Sequence, residues 1–247
     1  MTDWFTDERF WERLSHVLFS DERFEAAGEE TAQLAELTGI SSGRALDLCC
    51  GPGRHALALA SLGFDVSGVD LSEFLLAKAK ARADATKLDV EWVKADMRDF
   101  VRPGEYDLVL NLFTSFGYFA LPSDNLLTLR NMAECLTDEG CVVIDTLGKE
   151  ALAERLPLNR QPTEERDGSL LIQRMEVVDD WCRVRSEWLL VKGNEVERFH
   201  FEHTLYSGHE LRELMNWSGL SRVELYGGLD GRPYGPGATR LVAVGRK

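Results

Sequence analysis

Apolar and polar positions along this chain follow two rhythms. Between residues 4 and 38 the apolar side chains Trp4, Phe5, Phe10, Trp11, Leu14, Val17, Leu18 and Phe19 recur at mixed three- and four-residue spacing. That is the period of a helix with one buried face. A second helix is expected over 29–37, stopped by Gly39. From residue 44 short apolar runs begin to alternate with helical stretches. The runs at 45–49, 64–69, 90–94, 106–112 and 141–146 read as strands, and 54–62, 73–84 and 124–136 as helices. Gly63 closes the first of these helices and Ser72 caps the second. Apolar strands separated by helices predict a parallel sheet covered on both faces.

Beyond Pro157 the rhythm changes to period two. Residues 170–178, 183–191 and 195–206 alternate without an intervening helix, and Lys192-Gly193-Asn194 is a hairpin signal. These strands are expected to be antiparallel. A helix at 207–217 follows, then strands at 223–226 and 241–244 joined by the glycine- and proline-rich loop 227–237. The pattern divides the chain into an N-terminal helical cap (1–40), an α/β core (41–150), an antiparallel β insertion (151–206), and a C-terminal helix with a final strand pair that completes the core (207–247).

Composition narrows the function. Acids outnumber bases 42 to 28, the formal charge is −14, and 44% of residues are hydrophobic. The charge excludes nucleic acid as a partner and disfavours an anionic membrane surface. No apolar run approaches the roughly 20 residues of a spanning helix, and residues 1–8 carry no signal-peptide pattern. Five cysteines, none in C-x-x-C spacing, predict a reduced, cytoplasmic protein without a metal site.

The chemistry concentrates at Leu46-Asp47-Leu48-Cys49-Cys50-Gly51-Pro52-Gly53-Arg54-His55, where a strand runs through a glycine turn into a helix. Glycines let the backbone approach a ligand, and the helix start offers free N–H groups. Nineteen residues after Gly51, at the end of the next strand, stands Asp70, placed to accept both hydroxyls of a ribose. Residues 51–56 also match the dinucleotide pattern G-x-G-x-x-A. Asp47 discriminates: a carboxylate just before the turn repels a pyrophosphate but suits an ammonium group. S-adenosylmethionine carries an ammonium, a sulfonium and no phosphate.

These residues resemble motif I of the class I S-adenosylmethionine-dependent methyltransferases. Val69-Asp70-Leu71-Ser72 resembles their ribose-binding motif, Ala95-Asp96-Met97-Arg98 the motif after strand three, and residues 106–113 the motif on strand four. The resemblance spans roughly 43–147 and points to the small-molecule, N-methyltransferase-like branch. It implies a Rossmann-like sheet, mostly parallel with its last strand reversed, carrying the antiparallel insertion after the fifth strand. It also implies that 41–150 binds the cofactor. Asp47 would lie at the methionine end, with Gly51 and Gly53 lining the turn and Arg54 near the methionine carboxylate. Asp70 would hold the ribose with Leu71 beside it. Asp96 would reach the adenine amino group and Met97 would pack on the ring. Asn111, Leu112 and Phe113 would run past the methionine moiety. Cys49 stands where the family often has a glycine, which alters local backbone freedom.

Methyl transfer needs a nucleophile held in line about 3 Å from the methyl group, and a base only if the nucleophile starts protonated. The segment 111–119 follows strand four and is aromatic. It lacks the N-P-P-Y signature of enzymes acting on DNA bases or amide nitrogens. Ser115-Phe116-Gly117-Tyr118 resembles the S-x-G-H loop of small-molecule N-methyltransferases, with Tyr118 in place of the histidine. Tyr118 and, on the insertion, His200 are the catalytic candidates. His200 and His203 are expected on opposite faces of their strand. The expected reaction is methyl transfer to a small-molecule acceptor, an amine before a hydroxyl, in a closed pocket; the insertion either covers the acceptor site or forms a homodimer contact, and the sequence leaves both open. The alternatives are an NAD-linked oxidoreductase and a non-catalytic, cofactor-binding interaction protein.

Overall fold

The computed structural model describes residues 3–155 and 161–247, so Pro157 lies outside the described residues. A single 3₁₀ turn, Trp4–Thr6, leads into α1 (Glu8–Leu18) and α2 (Asp21–Thr38). The alternating region gives β1 (Arg44–Leu48), α3 (Arg54–Ser61), β2 (Asp65–Asp70), α4 (Glu73–Thr86), β3 (Glu91–Lys94), β4 (Tyr106–Asn111), α5 (Pro122–Cys135) and β5 (Leu136–Thr146). Then come α6 (Lys149–Ala153), β6 (Thr163–Glu164), β7 (Leu170–Val178), β8 (Arg183–Lys192) and β9 (Glu195–Thr204). The chain ends with α7 (Gly208–Trp217), β10 (Ser221–Tyr226) and β11 (Leu241–Arg246).

Local chemistry explains most boundaries. Asp7 caps α1 by accepting from the Arg9 N–H, and Ser72 caps α4 by accepting from Leu75. Ser207 and Glu210 form a reciprocal capping box at α7. Gly39 closes α2 in the left-handed conformation at φ 72. Three differences from the sequence reading stand out. The helix expected at 29–37 starts at Asp21, where Asp21 and Glu22 favour a helix N-terminus. β5 takes over directly from α5 at Leu136, which pairs with Tyr106. The short α6 and β6 carry no periodic signal of their own.

The large sheet has seven strands in the order β10-β11-β5-β4-β1-β2-β3. Pairs β1–β2, β2–β3, β1–β4 and β4–β5 are parallel, whereas β11 runs antiparallel to both β5 and β10. This is the mostly parallel sheet with a reversed strand that the resemblance implied. The winding reverses at β1, flanked by β2 and β4, and a crevice opens at the carboxyl end of such a switch point. The central strands are buried on both faces: Leu46, Leu108, Leu110, Val142, Val143 and Ile144 are all at 0% exposure.

The separate sheet β6-β7-β8-β9 is antiparallel. Its inner face carries Leu171, Leu190, Phe199 and Phe201, which pack with Phe10 and Leu14 of α1. Its outer face is ionic, with Glu187 bound by Arg174 and Arg198, and Glu202 by Arg183 and Arg185. α1 therefore lies between the small sheet and the start of α4 at the carboxyl edge of the large one.

One glycine shows how tightly the site's frame is packed. Gly53 precedes α3 at φ +83, and a Cβ there would lie 2.7 Å from Trp92 Cη2. Gly63 is also left-handed, at φ +94, but nothing lies within 4 Å of its Cβ position. We expect Gly53→Ala to lower stability by about 2–3 kcal/mol, backbone strain plus overpacking, and Gly63→Ala by only about 1 kcal/mol. Urea unfolding of both variants measures the contrast, and equal losses would refute the packing account.

Candidate active site

The carboxyl ends of β1, β2 and β4 form the floor of a cavity with about 1050 Å³ of free space, counted out to its solvent-facing mouth. Asp47 on β1 is 2% exposed and lies on its wall. Its Oδ2 accepts from the Ala56 N–H at 3.0 Å, so the carboxylate caps α3, whose own N-cap Gly53 has no side chain to do so. Burial raises the Asp47 carboxyl above its usual range, against the opposing pull of His55, the Ala56 N–H and Arg54.

After β1 the chain turns sharply. Cys49 sits at φ 66, the left-handed region that its glycine-like position in the motif demands. Cys49 and Cys50 both donate their N–H to the Val69 carbonyl, at 2.8 and 3.0 Å. Gly51 donates to Asp70 Oδ2 at 2.8 Å, and Ser72 donates to Asp70 Oδ1 at 2.9 Å. Each Asp70 oxygen retains capacity for a further donor. Burial pushes the Asp70 pKa up to about 6 despite those two bonds, with Asp47 and Glu8 adding to the rise. Glu8 of α1 accepts from the Ser72 hydroxyl at 2.6 Å and from the Glu73 N–H at 2.8 Å, which docks α1 onto the start of α4.

The segment after β3 completes this side. Arg98 grips Asp96 through Nε at 3.0 Å and Nη2 at 2.7 Å. Burial alone would raise the Asp96 carboxyl, but these bonds outweigh it and hold it below the usual range. Met97 lines the cavity, its Sδ 3.4 Å from Cys49 Sγ. Leu71 and Leu112 line it as well. Phe113 projects from the end of β4, its ring 5.3 Å from that of His55 and 3.8 Å from the Arg54 guanidinium. Arg54 also lies 3.5 Å from Glu30, which His55 meets at 2.9 Å.

The opposite wall is aromatic and includes Phe5, Trp11, Tyr118 and Phe119. The Tyr118 ring is held by Trp4 at 4.6 Å, Phe5 at 5.7 Å and His203 at 5.1 Å. Burial pushes the Tyr118 hydroxyl well above its ordinary pKa, with Cys49 and Asp70 reinforcing it, so it stays protonated.

Three sequence-nominated residues do not reach the cavity wall. Gly53 faces Trp92 and Ala79 instead. Asn111 is buried beneath the floor, donating to the Leu48 carbonyl at 3.2 Å. His200 is the clearest correction: its side chain is 60% exposed on the ionic face, 3.8 Å from Glu187. Register explains this. His200 pairs with Glu187 and His203 with Val184, so His203 takes the inner face. The sequence reading also missed Phe5, Trp11 and Glu8 as individual contributors. Their signal was the density of aromatic residues at 4–19, which carries no depth information. Among the described residues, no cluster of His, Cys, Asp or Glu could hold a metal ion, and no helix is long and apolar enough to cross a membrane.

A seven-stranded sheet with one reversed strand and an acid-lined cavity at its switch point defines the class I methyltransferase fold. Residues 45–140 match the family described as "Methyltransferase domain". These residues, which carry the floor of the cavity, are thus similar to a methyltransferase domain. It is 29% identical over 154 residues to a glycine/sarcosine N-methyltransferase of Halorhodospira halochloris, covering 58% of this chain and 55% of that protein. It is 33% identical over 119 residues to the dTDP-3-amino-3,6-dideoxy-alpha-D-glucopyranose N,N-dimethyltransferase of Streptomyces fradiae, covering 47% and 45%. The chain spans between 39% and 66% of the length of most of the curated relatives it matches, and 81% of one. A crystal structure of an S-adenosylmethionine-dependent methyltransferase from Clostridium acetobutylicum superposes with a TM-score of 0.78 over 96% of this chain and 97% of that one. At 16% identity that is a likeness of fold.

His203 supplies a pH test of this geometry. Burial pushes its pKa down to about 4, and Arg183 adds to the shift. The unfolded chain takes up this proton near pH 6.5, so the folded state loses stability as pH falls from about 6.5 to about 4. Asp70, with its raised pKa, acts in the opposite direction. The wild type minus His203→Gln difference therefore isolates the histidine. Urea unfolding across this range should show the stability difference shrinking toward low pH; a constant difference would place His203 in solvent.

Proposed function

We propose that this protein transfers the methyl group of S-adenosylmethionine to the amine nitrogen of a small-molecule acceptor. One observation carries the reading: the carboxylates of Asp47, Asp70 and Asp96 and an aromatic wall converge on one cavity at the switch point. The donor set fits the cofactor. Asp70 has lone pairs left for two ribose hydroxyls, Asp47 suits an ammonium, and Asp96 suits an adenine amino group. Met97 and Leu71 offer apolar surface to the nucleoside, Gly51 gives close backbone approach, and Cys49, Leu112 and Phe113 border the methionine end. Arg54 is the cation placed to attract the methionine carboxylate.

When bound, S-adenosylmethionine supplies an electrophilic methyl group on a cationic sulfur. The chain's own part is to hold and orient. Tyr118 keeps its proton, so its role is to position the acceptor by hydrogen bonding rather than to act as a base. An amine arriving unprotonated attacks with its lone pair, and the proton of the product leaves afterwards to water. The rings of Phe5, Trp11, Tyr118 and Phe119 favour positive charge and exclude water around the reacting atoms. The two relatives named above act on amines, which supports nitrogen over oxygen. The dinucleotide alternative loses support from Asp47, whose carboxylate takes the α3 N–H that a phosphate would need. The cysteines of the described residues are all free, in keeping with a reducing, cytoplasmic setting.

Calorimetry with S-adenosylhomocysteine tests the cofactor site; absence of binding to folded wild type sinks it. Asp70→Asn should weaken binding by on the order of 1–3 kcal/mol. Ribose hydroxyls favour the ionised carboxylate, so wild-type affinity should fall as pH drops through about 6, and the variant should lose this dependence. Methyl-labelled cofactor offered with matched amines and alcohols should label the amines. Label appearing only in the alcohols would overturn the acceptor class.

A further inference from the structure

The turn that carries Phe113 is held by groups that never touch the cavity. Phe113 and Thr114 both adopt the left-handed conformation, at φ 56 and φ 68. Two consecutive non-glycine residues there are unfavourable, and a β-branched threonine is an outlier. Such strain persists only where the surroundings enforce it. Here Asp145, at the end of β5 and 1% exposed, enforces it. Its Oδ2 accepts from the Phe113 N–H at 3.0 Å, and its carbonyl accepts from the Thr114 N–H at 2.8 Å. Arg240 closes the assembly, donating to Asp145 Oδ1 at 2.6 Å and Oδ2 at 2.9 Å, and to Thr114 Oγ1 at 3.1 Å.

Topology explains how residues 95 positions apart meet. Leu241 of β11 pairs with Thr146 of β5, so the reversed strand delivers Arg240 across the end of its neighbour. The effect reaches the cavity through one ring. Phe113 lies against His55, with the Arg54 guanidinium 3.8 Å from its centroid, and Phe113, His55 and Arg54 all line the cavity. Asp145, Arg240 and Thr114 do not.

We infer that Asp145 and Arg240 are a positioning pair: they hold the Phe113–Thr114 turn so that Phe113 aims Arg54 at the carboxylate end of the bound cofactor. This rests on the cofactor reading proposed above. A purely structural ion pair between β5 and β11 would affect every ligand alike. A pair acting through Arg54 affects only ligands that carry the amino-acid group.

The test compares S-adenosylhomocysteine with 5′-methylthioadenosine, which keeps the nucleoside and thioether but lacks the amino-acid carboxylate. Calorimetry on Arg240→Met should show about tenfold weaker binding of the first, with the second within about twofold of wild type. Arg240→Lys, which keeps the charge but not the paired geometry, should show a smaller loss with the same selectivity. Adding Thr114→Gly to Arg240→Met should restore most of the lost affinity, because glycine takes the left-handed turn without enforcement. Equal weakening of both ligands, or no weakening of S-adenosylhomocysteine, overturns the inference. Wild-type protein that binds neither ligand overturns the cofactor reading beneath it.

Discussion

The site depends on where the Asp70 carboxylate is held. It ends β2, ties down the glycine turn after β1 through Gly51, and ties down the start of α4 through Ser72. Two loops from different strands thus share one acceptor. Two N–H bonds favour its charge, yet burial outweighs them and brings its pKa up to about 6. The protein bears that cost in a cavity wall, with no cation hydrogen-bonded to the group among the described residues. A half-buried carboxylate whose donors fall short of its demand is suited to a ligand that supplies more of them.

The same helix start anchors the roof. Glu8 takes the Ser72 hydroxyl and the Glu73 N–H, so α1 is docked beside Asp70. From there the chain runs back through Phe5 and Trp4 to Tyr118 and the inner face of the small sheet. Two acids in proximity repel, and Glu8 contributes to the raised pKa of Asp70. Seating of the N-terminal roof and the charge state of the cavity floor are therefore electrostatically linked.

Most of the large sheet was legible because parallel strands buried on both faces leave unmistakable apolar runs, such as Val142-Val143-Ile144. The glycine turn and its acids were legible because their spacing is local. Depth and facing were not. Period two separates His200 from His203 onto opposite faces but does not say which is inner; the answer lies in α1 packing on the Phe199 and Phe201 side. Gly53 was read as part of the ligand turn, yet it is held to glycine by Trp92, which pattern alone does not place. Asp145 and Arg240 escaped altogether, since nothing local marks two residues joined only by strand pairing.

The walls of the cavity also differ in where they come from. Asp47, Asp70, Asp96 and Phe113 lie within the matched segment 45–140, as does Tyr118. The neighbours that fix the Tyr118 ring lie outside it: Trp4 and Phe5 before it, His203 after it. Phe113 follows the same scheme, enforced by Asp145 and Arg240 from beyond the segment. Aromatic packing and backbone hydrogen bonds are short-ranged, so a change at Trp4, Phe5, His203, Asp145 or Arg240 acts first on one ring, whereas Glu8 reaches the carboxylate floor through its charge. The fold thereby separates holding a nucleoside, which needs fixed acceptors on strand ends, from shaping the space beside it. That space is set by rings and ion pairs outside the segment, while Glu8 still couples the N-terminal part to Asp70.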